Sequence, residues 1–136
     1  MILGTGVDIT EVSRVKEAAE KWGEAFLNRV FTDVELDNAK ARGNLPGPVS
    51  EIKPDLDHSR SLYQHLAGRF AAKEAVFKAL GDAGLNWKDV EILNDKEGKP
   101  FCRLLNSKGK GVEVIVSISH VKNYAVANAI CLQKTR

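Results

Sequence analysis

Residues 66–81 read LAGRFAAKEAVFKALG and carry the clearest helical pattern in the chain. Apolar side chains recur in and just before this stretch at steps of three, four and seven residues, which places them within an arc of roughly 80° on a helix. These side chains are Leu62, Leu66, Phe70, Phe77 and Leu80. We predict a long central helix that packs on a core through this arc and ends at Gly81.

Charged side chains lie on or beside that arc, although a solvated helix keeps its charges on the side away from the core. Lys73 projects into the middle of the arc, and Arg69 lies just off one edge. Glu74 and Lys78 lie off the other edge, four residues apart. Charges at a buried face are costly unless they are paired or bind a ligand, so we interpret this helix as one wall of an anion site. The alternative is that Glu74 and Lys78 form an ordinary surface ion pair.

The first ten residues predict a strand whose two faces differ. One face carries the larger side chains, and the other carries Gly4, Gly6 and Asp8. Glycines inside a strand indicate close approach by a ligand or by another backbone; the alternative is a bulge followed by a surface aspartate. Asp8 and Glu74 are carboxylates at unusual positions, and together with phosphate-binding cations they form a combination that suits Mg²⁺.

The pattern between the first strand and the long helix predicts three further helices, over residues 11–21, 24–31 and 33–41. The third is opened by a capping box formed by Thr32 and Glu35.

The second half of the chain predicts two β-hairpins. Their strands cover residues 90–93, 100–105, 113–119 and 124–132. Residues 43–59 are rich in proline and predict a long loop that could act as a lid. Helices followed by hairpins predict one α+β domain over residues 1–136, in which the long central helix packs on an antiparallel sheet.

The composition is that of an ordinary globular domain, with 43% hydrophobic and 28% charged residues. The net charge of +2 argues against nucleic-acid binding. No stretch has the character of a membrane span or a signal peptide, so we expect neither membrane attachment nor secretion. Cys102 and Cys131 lie far apart in apolar, strand-like segments, and we interpret them as reduced, buried thiols of a cytoplasmic protein.

Five motifs occur in order along nearly the whole chain. They are GTGVDI at residues 4–9 with Arg14, FTxxEL at 31–36, RFAAKEAxxKALG at 69–81, NxxxGKP at 94–100 and SISH at 117–120. Together these motifs closely resemble the holo-acyl-carrier-protein synthase family, the small trimeric type of 4′-phosphopantetheinyl transferase.

The resemblance implies transfer of the 4′-phosphopantetheine arm of coenzyme A to a serine hydroxyl of apo acyl carrier protein, a step of fatty acid biosynthesis. The products are holo carrier protein and 3′,5′-ADP. By the same resemblance, Asp8 and Glu74 hold Mg²⁺, and Lys78 contacts phosphate and stabilises the leaving group. These three are the catalytic candidates. The serine proton would go to Glu74 or to Asp8, and the motifs leave that choice open.

The resemblance also assigns a coenzyme A pocket and partner surfaces. The pocket residues are Arg69, Phe70, Lys78, Gly98, Lys99, Pro100 and His120. Arg14 and Arg29 would meet the acidic recognition helix of the carrier protein. Family members build their sites between the subunits of a homotrimer, which would use apolar strand faces left over in so small a chain. Lys73 has no assigned role: it would reach a phosphate or pair with a carboxylate of another subunit.

The alternative function is a non-catalytic module that binds carrier protein or nucleotide. The presence of both Asp8 and Glu74 argues against it, because a module without turnover has no need of metal ligands. A nucleic-acid-binding domain is a third hypothesis. The weak net charge and the lack of clustered aromatic and basic residues on the hairpins argue against it.

Overall fold

The structure, a computed structural model, describes residues 1–43, 57–81 and 84–135. Its helices are α1 (Val12–Trp22), α2 (Glu24–Val30), α3 (Asp33–Gly43) and α4 (Asp57–Leu80), with a short 3-10 helix at Trp87–Asp89. Its strands are β1 (Ile2–Glu11), β2 (Val90–Asn94), β3 (Pro100–Leu104), β4 (Val112–His120) and β5 (Tyr124–Gln133). The predicted helices and hairpins are present, with boundaries that differ by a residue or two.

The strands form two antiparallel units on which the long helix packs. One unit is a three-stranded sheet in the order β1-β5-β4, and the other is the hairpin β2-β3. Helix α4 lies across β1, β5 and β4, while α1, α3 and β2 pack against other parts of the same helix. The prediction of an α+β fold with a central helix on an antiparallel sheet is therefore confirmed.

The two glycines of β1 are the places where the strand meets the backbone of α4. A Cβ atom added to Gly4 would lie 2.1 Å from the carbonyl oxygen of Ala79, and one added to Gly6 would lie 2.1 Å from that of Ala75. No side chain fits at those distances. The expected close approach is made by another backbone rather than by a ligand. A register irregularity between Ile2 and Gly4 accompanies it.

Helix α4 is buried over a wider surface than its predicted apolar arc. A second buried surface consists of small side chains: Ala67, Ala71, Ala72, Ala75, Val76 and Ala79. Phe70, Phe77 and Leu80, by contrast, are only partly buried. The predicted arc was too narrow because alanines contribute only a weak signal to a hydrophobic pattern. Their small side chains nevertheless allow the backbone of β1 to approach the helix closely.

Two further expectations concern the rest of the chain. Most of the predicted loop at 43–59 lies outside the described residues. The two ends of the prediction are wrong, because Gly43 belongs to α3 and residues 57–59 belong to α4. Within the described part of the chain, no helix combines the length and the apolar character of a membrane span.

The two free cysteines have the environment of unreactive thiols. Cys131 is buried, and Cys102 is half-buried. Burial raises the pKa of the Cys102 thiol to about 12.

Candidate active site

A first cleft, which we call the carboxylate cleft, opens where β1, the start of α1 and the middle of α4 meet. Its volume is about 430 Å³. Its lining includes Asp8, Arg14, Phe26, Phe70, Glu74 and Tyr124. Two carboxylates and a guanidinium thus lie beside three aromatic side chains, a lining that suits a ligand with charged and apolar parts.

Asp8 is held in this cleft by two donors. The Thr10 hydroxyl donates to Asp8 Oδ2 at 3.0 Å, and Lys78 Nζ donates to Asp8 Oδ1 at 3.3 Å. The same ammonium donates to the Val7 carbonyl at 2.9 Å. The ion pair of Lys78 is therefore with Asp8 across two elements, and the alternative surface pair with Glu74 is wrong.

The Glu74 carboxyl lies within the electrostatic influence of Asp8. Burial raises the pKa of the Glu74 carboxyl above its ordinary value, and the negative charge of Asp8 raises that pKa further. The cations Lys78 and Arg14 oppose both effects. Two carboxylates that disfavour each other's charge in this way are relieved by a cation bound between them.

The donor set of the carboxylate cleft fits magnesium. Mg²⁺ prefers carboxylate oxygens, keeps several waters and is commonly completed by substrate phosphates. Among the described residues there is no group of three or more His, Cys, Asp and Glu side chains that could hold a metal ion alone. Asp8 and Glu74 would thus supply the protein's oxygen ligands, and water and substrate oxygens would supply the others.

A second cleft, the basic cleft, opens where an earlier part of α4 meets the β2-β3 turn and the end of β4. Its volume is about 300 Å³. Its lining includes His65, Arg69, Asn94, Gly98, Pro100 and His120. Arg69 Nη2 donates to Asn94 Oδ1, and Asn94 Nδ2 donates to the Gly98 carbonyl at 2.6 Å, so the β2-β3 turn is tied to α4. An arginine and two imidazoles around a cleft suit an anionic ligand.

The residues of both clefts lie within a region that matches a known protein family. The family model of the 4′-phosphopantetheinyl transferase superfamily matches residues 4–129, which contain every lining residue named above. The chain belongs to this superfamily.

Curated relatives of the superfamily are similar over almost the whole chain. The holo-[acyl-carrier-protein] synthase of Protochlamydia amoebophila is 43% identical, and the match covers 96% of this chain and 98% of the relative. The synthase of Halothermothrix orenii is 38% identical, with 93% and 94% covered.

Solved structures of the superfamily match the fold. A holo-(acyl-carrier-protein) synthase from Bacillus anthracis in complex with CoA (3′,5′-ADP) gives a TM-score of 0.76 at 34% identity, covering 98% of this chain and 99% of that one. The Helicobacter pylori synthase in complex with coenzyme A gives 0.73 at 25% identity, with 94% and 99% covered.

The residues expected to bind coenzyme A are divided between the clefts of this phosphopantetheinyl transferase. Arg69, Gly98, Pro100 and His120 line the basic cleft. Phe70, although adjacent to Arg69, lines the carboxylate cleft and stacks on Trp87 with ring centroids 5.0 Å apart. Two further candidates, Lys78 and Lys99, line neither cleft.

The two arginines expected to meet the carrier protein also differ in position. Arg14 lines the carboxylate cleft and acts electrostatically on Glu74. Arg29 is exposed on α2 and lines neither cleft. The structure thus brings one of the pair to the carboxylate cleft, beside Asp8 and Glu74.

Lys73 occupies the interior of the protein, so both roles considered for it are wrong. Its side chain is fully buried, and Nζ lies 2.5 Å from Glu35 Oε1 of the same chain. It therefore reaches neither a phosphate in a cleft nor a carboxylate of another subunit.

Several site residues were missed by sequence reasoning. Thr10, which supports Asp8, carried a signal, because it follows Asp8 by two residues on the same face of β1. Asn94 also carried one, because it opens the NxxxGKP motif, although it was given no role. Phe26 and Tyr124 carried none, since their cleft positions depend on how distant elements pack.

Proposed function

We propose that this protein transfers the 4′-phosphopantetheine arm of coenzyme A to a serine hydroxyl of apo acyl carrier protein, giving holo carrier protein and 3′,5′-ADP. The observation that carries the proposal is that α4 lines two clefts of complementary charge. The carboxylate pair Asp8 and Glu74 lies in one cleft, and a cationic lining around Arg69 lies in the other. Curated relatives named holo-[acyl-carrier-protein] synthase support it.

The charged groups suit phosphoryl transfer, which needs positioning and charge neutralisation more than a protein nucleophile. Asp8 and Glu74 are proposed to hold Mg²⁺, which when bound neutralises pyrophosphate charge and polarises the phosphorus centre. Lys78, half exposed beside Asp8, is close enough to turn its ammonium toward phosphate. The attacking hydroxyl comes from the carrier protein, and its proton is accepted by Glu74 or Asp8, the two carboxylates of the cleft.

The basic cleft is proposed to receive the phosphate-bearing part of coenzyme A. Arg69 and His120 supply donors, while Gly98 in the β2-β3 turn and Pro100 at the start of β3 add little side-chain bulk. Phe70 would contact the part of the coenzyme that enters the carboxylate cleft, and Lys99 would approach phosphate from the turn. We place the reaction in the cytoplasm, within fatty acid biosynthesis, where free thiols such as those of this chain stay reduced.

Mass spectrometry of the carrier protein tests the proposal. The protein is incubated with apo acyl carrier protein and coenzyme A, with Mg²⁺ or with a chelator. We expect the carrier to gain the mass of one phosphopantetheine arm only when Mg²⁺ is present. Binding of carrier or coenzyme without any mass gain, for several carriers, would support the non-catalytic module instead.

Arg14→Ala is expected to weaken binding of the carrier protein to this enzyme. Arg14 is exposed at the mouth of the carboxylate cleft, where an acidic partner helix would be attracted to it. We expect the KM for carrier to rise about tenfold at low salt and the difference to shrink at high salt, because exposed charges are screened. Lys21→Ala removes an exposed cation of the same helix away from the cleft and serves as the control. An equal rise in the KM for coenzyme A would contradict a carrier-specific role.

We also propose that the protein is a homotrimer whose subunits meet through the sheet face turned away from α4. This face carries exposed apolar side chains on three strands: Leu3, Val7, Ile9, Ile115 and Val126. Val7 is 60% exposed and Ile9 67% exposed, and Ile9 pairs directly with Val126. A contiguous apolar surface of this kind on a small domain is typical of a subunit interface.

Val7→Glu is expected to convert the trimer to monomers, because it places a charge in an interface that excludes water. Light scattering after gel filtration measures the mass of the particle. Val121→Glu is the matched control, since Val121 is 65% exposed but lies in the β4-β5 turn, outside that face. A wild-type mass of one chain would contradict the trimer.

A further inference from the structure

The interior of the protein contains a buried ion pair that joins four segments. Lys73 Nζ bonds Glu35 at 2.5 Å and donates to the Val30 carbonyl at 2.6 Å and the Trp87 carbonyl at 3.1 Å. These groups fill the three donor positions of the ammonium. The ring of Phe31 lies 5.6 Å from the same nitrogen. Lys73 thereby ties α4 to the end of α2 and to the 3-10 helix.

Glu35 extends the connection to α3 and β2. Its Oε1 accepts the Thr32 amide at 2.8 Å, closing the predicted capping box, and its Oε2 accepts the Ile92 amide of β2 at 2.8 Å. The Thr32 hydroxyl accepts the Glu35 amide at 3.2 Å and donates to Glu91 Oε2 at 2.6 Å. One carboxylate therefore serves a helix start, a strand and the buried ammonium.

From this pair a short route leads to the carboxylate cleft. The carbonyl held by Lys73 belongs to Trp87, whose ring stacks on Phe70 at 5.0 Å and meets Phe77 edge-on at 4.9 Å. Phe70 lines the cleft together with Glu74, which follows Lys73 directly in α4. The ion pair thus holds Trp87 in place, and Trp87 in turn packs against Phe70 in the wall of that cleft.

A second route leads to the basic cleft. Glu35 holds the backbone of β2 at Ile92, two residues before Asn94. Asn94 receives a hydrogen bond from Arg69 and donates one to the Gly98 carbonyl. The distance between α4 and the turn that together line the basic cleft therefore depends on where Glu35 holds β2.

Stability alone does not explain a charged pair at this place. Buried ion pairs are often replaced by apolar residues of similar volume without loss of stability, because desolvation offsets their attraction. A directional pair does, however, fix the relative positions of the segments it bonds. We propose that Lys73 and Glu35 are positioning residues that set the geometry of both clefts without touching substrate.

This inference rests on the proposed coenzyme site, and it predicts a separation between KM and kcat. The test variant is the double substitution Lys73→Met with Glu35→Gln, which leaves no unpaired buried charge. We expect the KM for coenzyme A to rise about tenfold, as for groups that orient ligand-binding residues. A merely structural role would reduce the folded fraction, which lowers kcat and leaves the KM unchanged.

Val76→Ala is the matched control. Val76 is fully buried on α4 and lines neither cleft. Its truncation should therefore destabilise the protein without a change in the KM for coenzyme A. A second measurement uses a Trp22→Phe background, in which the emission of Trp87 reports its contact with Phe70. We expect a red shift in the double variant and none in Val76→Ala.

The outcomes are distinguishable from failure of the proposed function. A wild-type protein without transfer activity overturns the function, while the emission of Trp87 still tests the positioning role. A folded double variant with wild-type KM and emission overturns the positioning role. If the double variant does not fold, Glu35→Asp replaces it, because this change keeps the charge and shortens the reach by one methylene. A smaller rise in the KM then supports the proposal, and an unchanged KM overturns it.

Discussion

Glu74→Gln is expected to lower transfer activity by a factor of about a thousand while leaving the fold intact. The amide keeps the shape of the side chain but removes one of two negative oxygen ligands from the proposed magnesium site. A metal ion stabilises transition-state charge by several kcal/mol, and about 1.4 kcal/mol corresponds to a tenfold change in rate. The measurement is the rate of mass gain of the carrier protein at saturating coenzyme A and several Mg²⁺ concentrations.

The same substitution should not destabilise the metal-free protein. The pKa of Glu74 is raised in the fold by burial and by Asp8, so the fold disfavours the ionised carboxylate. A raised carboxyl pKa means that ionisation reduces stability as the pH rises from the unfolded pKa through the folded one, and this penalty remains at neutral pH. A neutral amide removes it. In chelator at pH 7, the unfolding temperature of Glu74→Gln should equal or exceed that of the wild type.

Loss of activity without loss of stability distinguishes a metal ligand from a structural carboxylate. Glu17→Gln makes the same chemical change at an exposed position of α1 outside both clefts and should leave activity and stability unchanged. Full activity of Glu74→Gln would remove this carboxylate from the metal site. A lower unfolding temperature in chelator would show that Glu74 is part of the structural framework.

Much of this site could be predicted because its signals are local. Strand alternation placed Gly4, Gly6 and Asp8 on one face of β1, and helical periodicity placed Lys73 in a buried position on α4. The capping box of α3 also follows from residues three apart. Each of these inferences needs only the geometry of one element.

The inferences that failed required the packing of distant elements. Lys73 was expected to reach a phosphate or a carboxylate of another subunit, because its true partner Glu35 lies 38 positions earlier in the chain and had already been explained as a helix cap. The arc of α4 was too narrow because its alanines face a strand whose glycines allow contact between the backbones. The division of Arg69 and Phe70 between two clefts depends on the 3-10 helix and β2, which no pattern in α4 reveals.

Gly6→Ala is expected to destabilise the protein by about 3 kcal/mol, the upper part of the range for added atoms in a packed interior. The added Cβ would lie 2.1 Å from the Ala75 carbonyl oxygen and 2.9 Å from the Ala79 amide nitrogen. Both are backbone atoms of α4, so neither can rotate away. For a domain of this size the unfolding temperature should fall by about 10 °C, measured at one fixed protein concentration because subunit association contributes to stability.

Gly68→Ala adds the same methyl group to α4 itself and provides the matched control. Its Cβ would lie 3.0 Å from the Ile118 Cγ2 methyl, the end of a side chain that can adjust. Replacing glycine by alanine within a helix stabilises it by about 1 kcal/mol, which offsets this contact. We expect the unfolding temperature of Gly68→Ala to stay near that of the wild type, whereas that of Gly6→Ala falls.

Gly6→Ala should also lower activity in the fraction of protein that remains folded. Asp8 follows Gly6 on the same face of β1, and its position beside Glu74 depends on the close contact between strand and helix. Moving β1 away from α4 separates the two carboxylates, so a higher Mg²⁺ concentration should be needed for half-maximal rate. A Gly6→Ala protein that keeps the wild-type unfolding temperature would contradict the backbone contact. A destabilised protein with an unchanged Mg²⁺ requirement would show instead that Asp8 is positioned by Thr10 and Lys78 rather than by the strand.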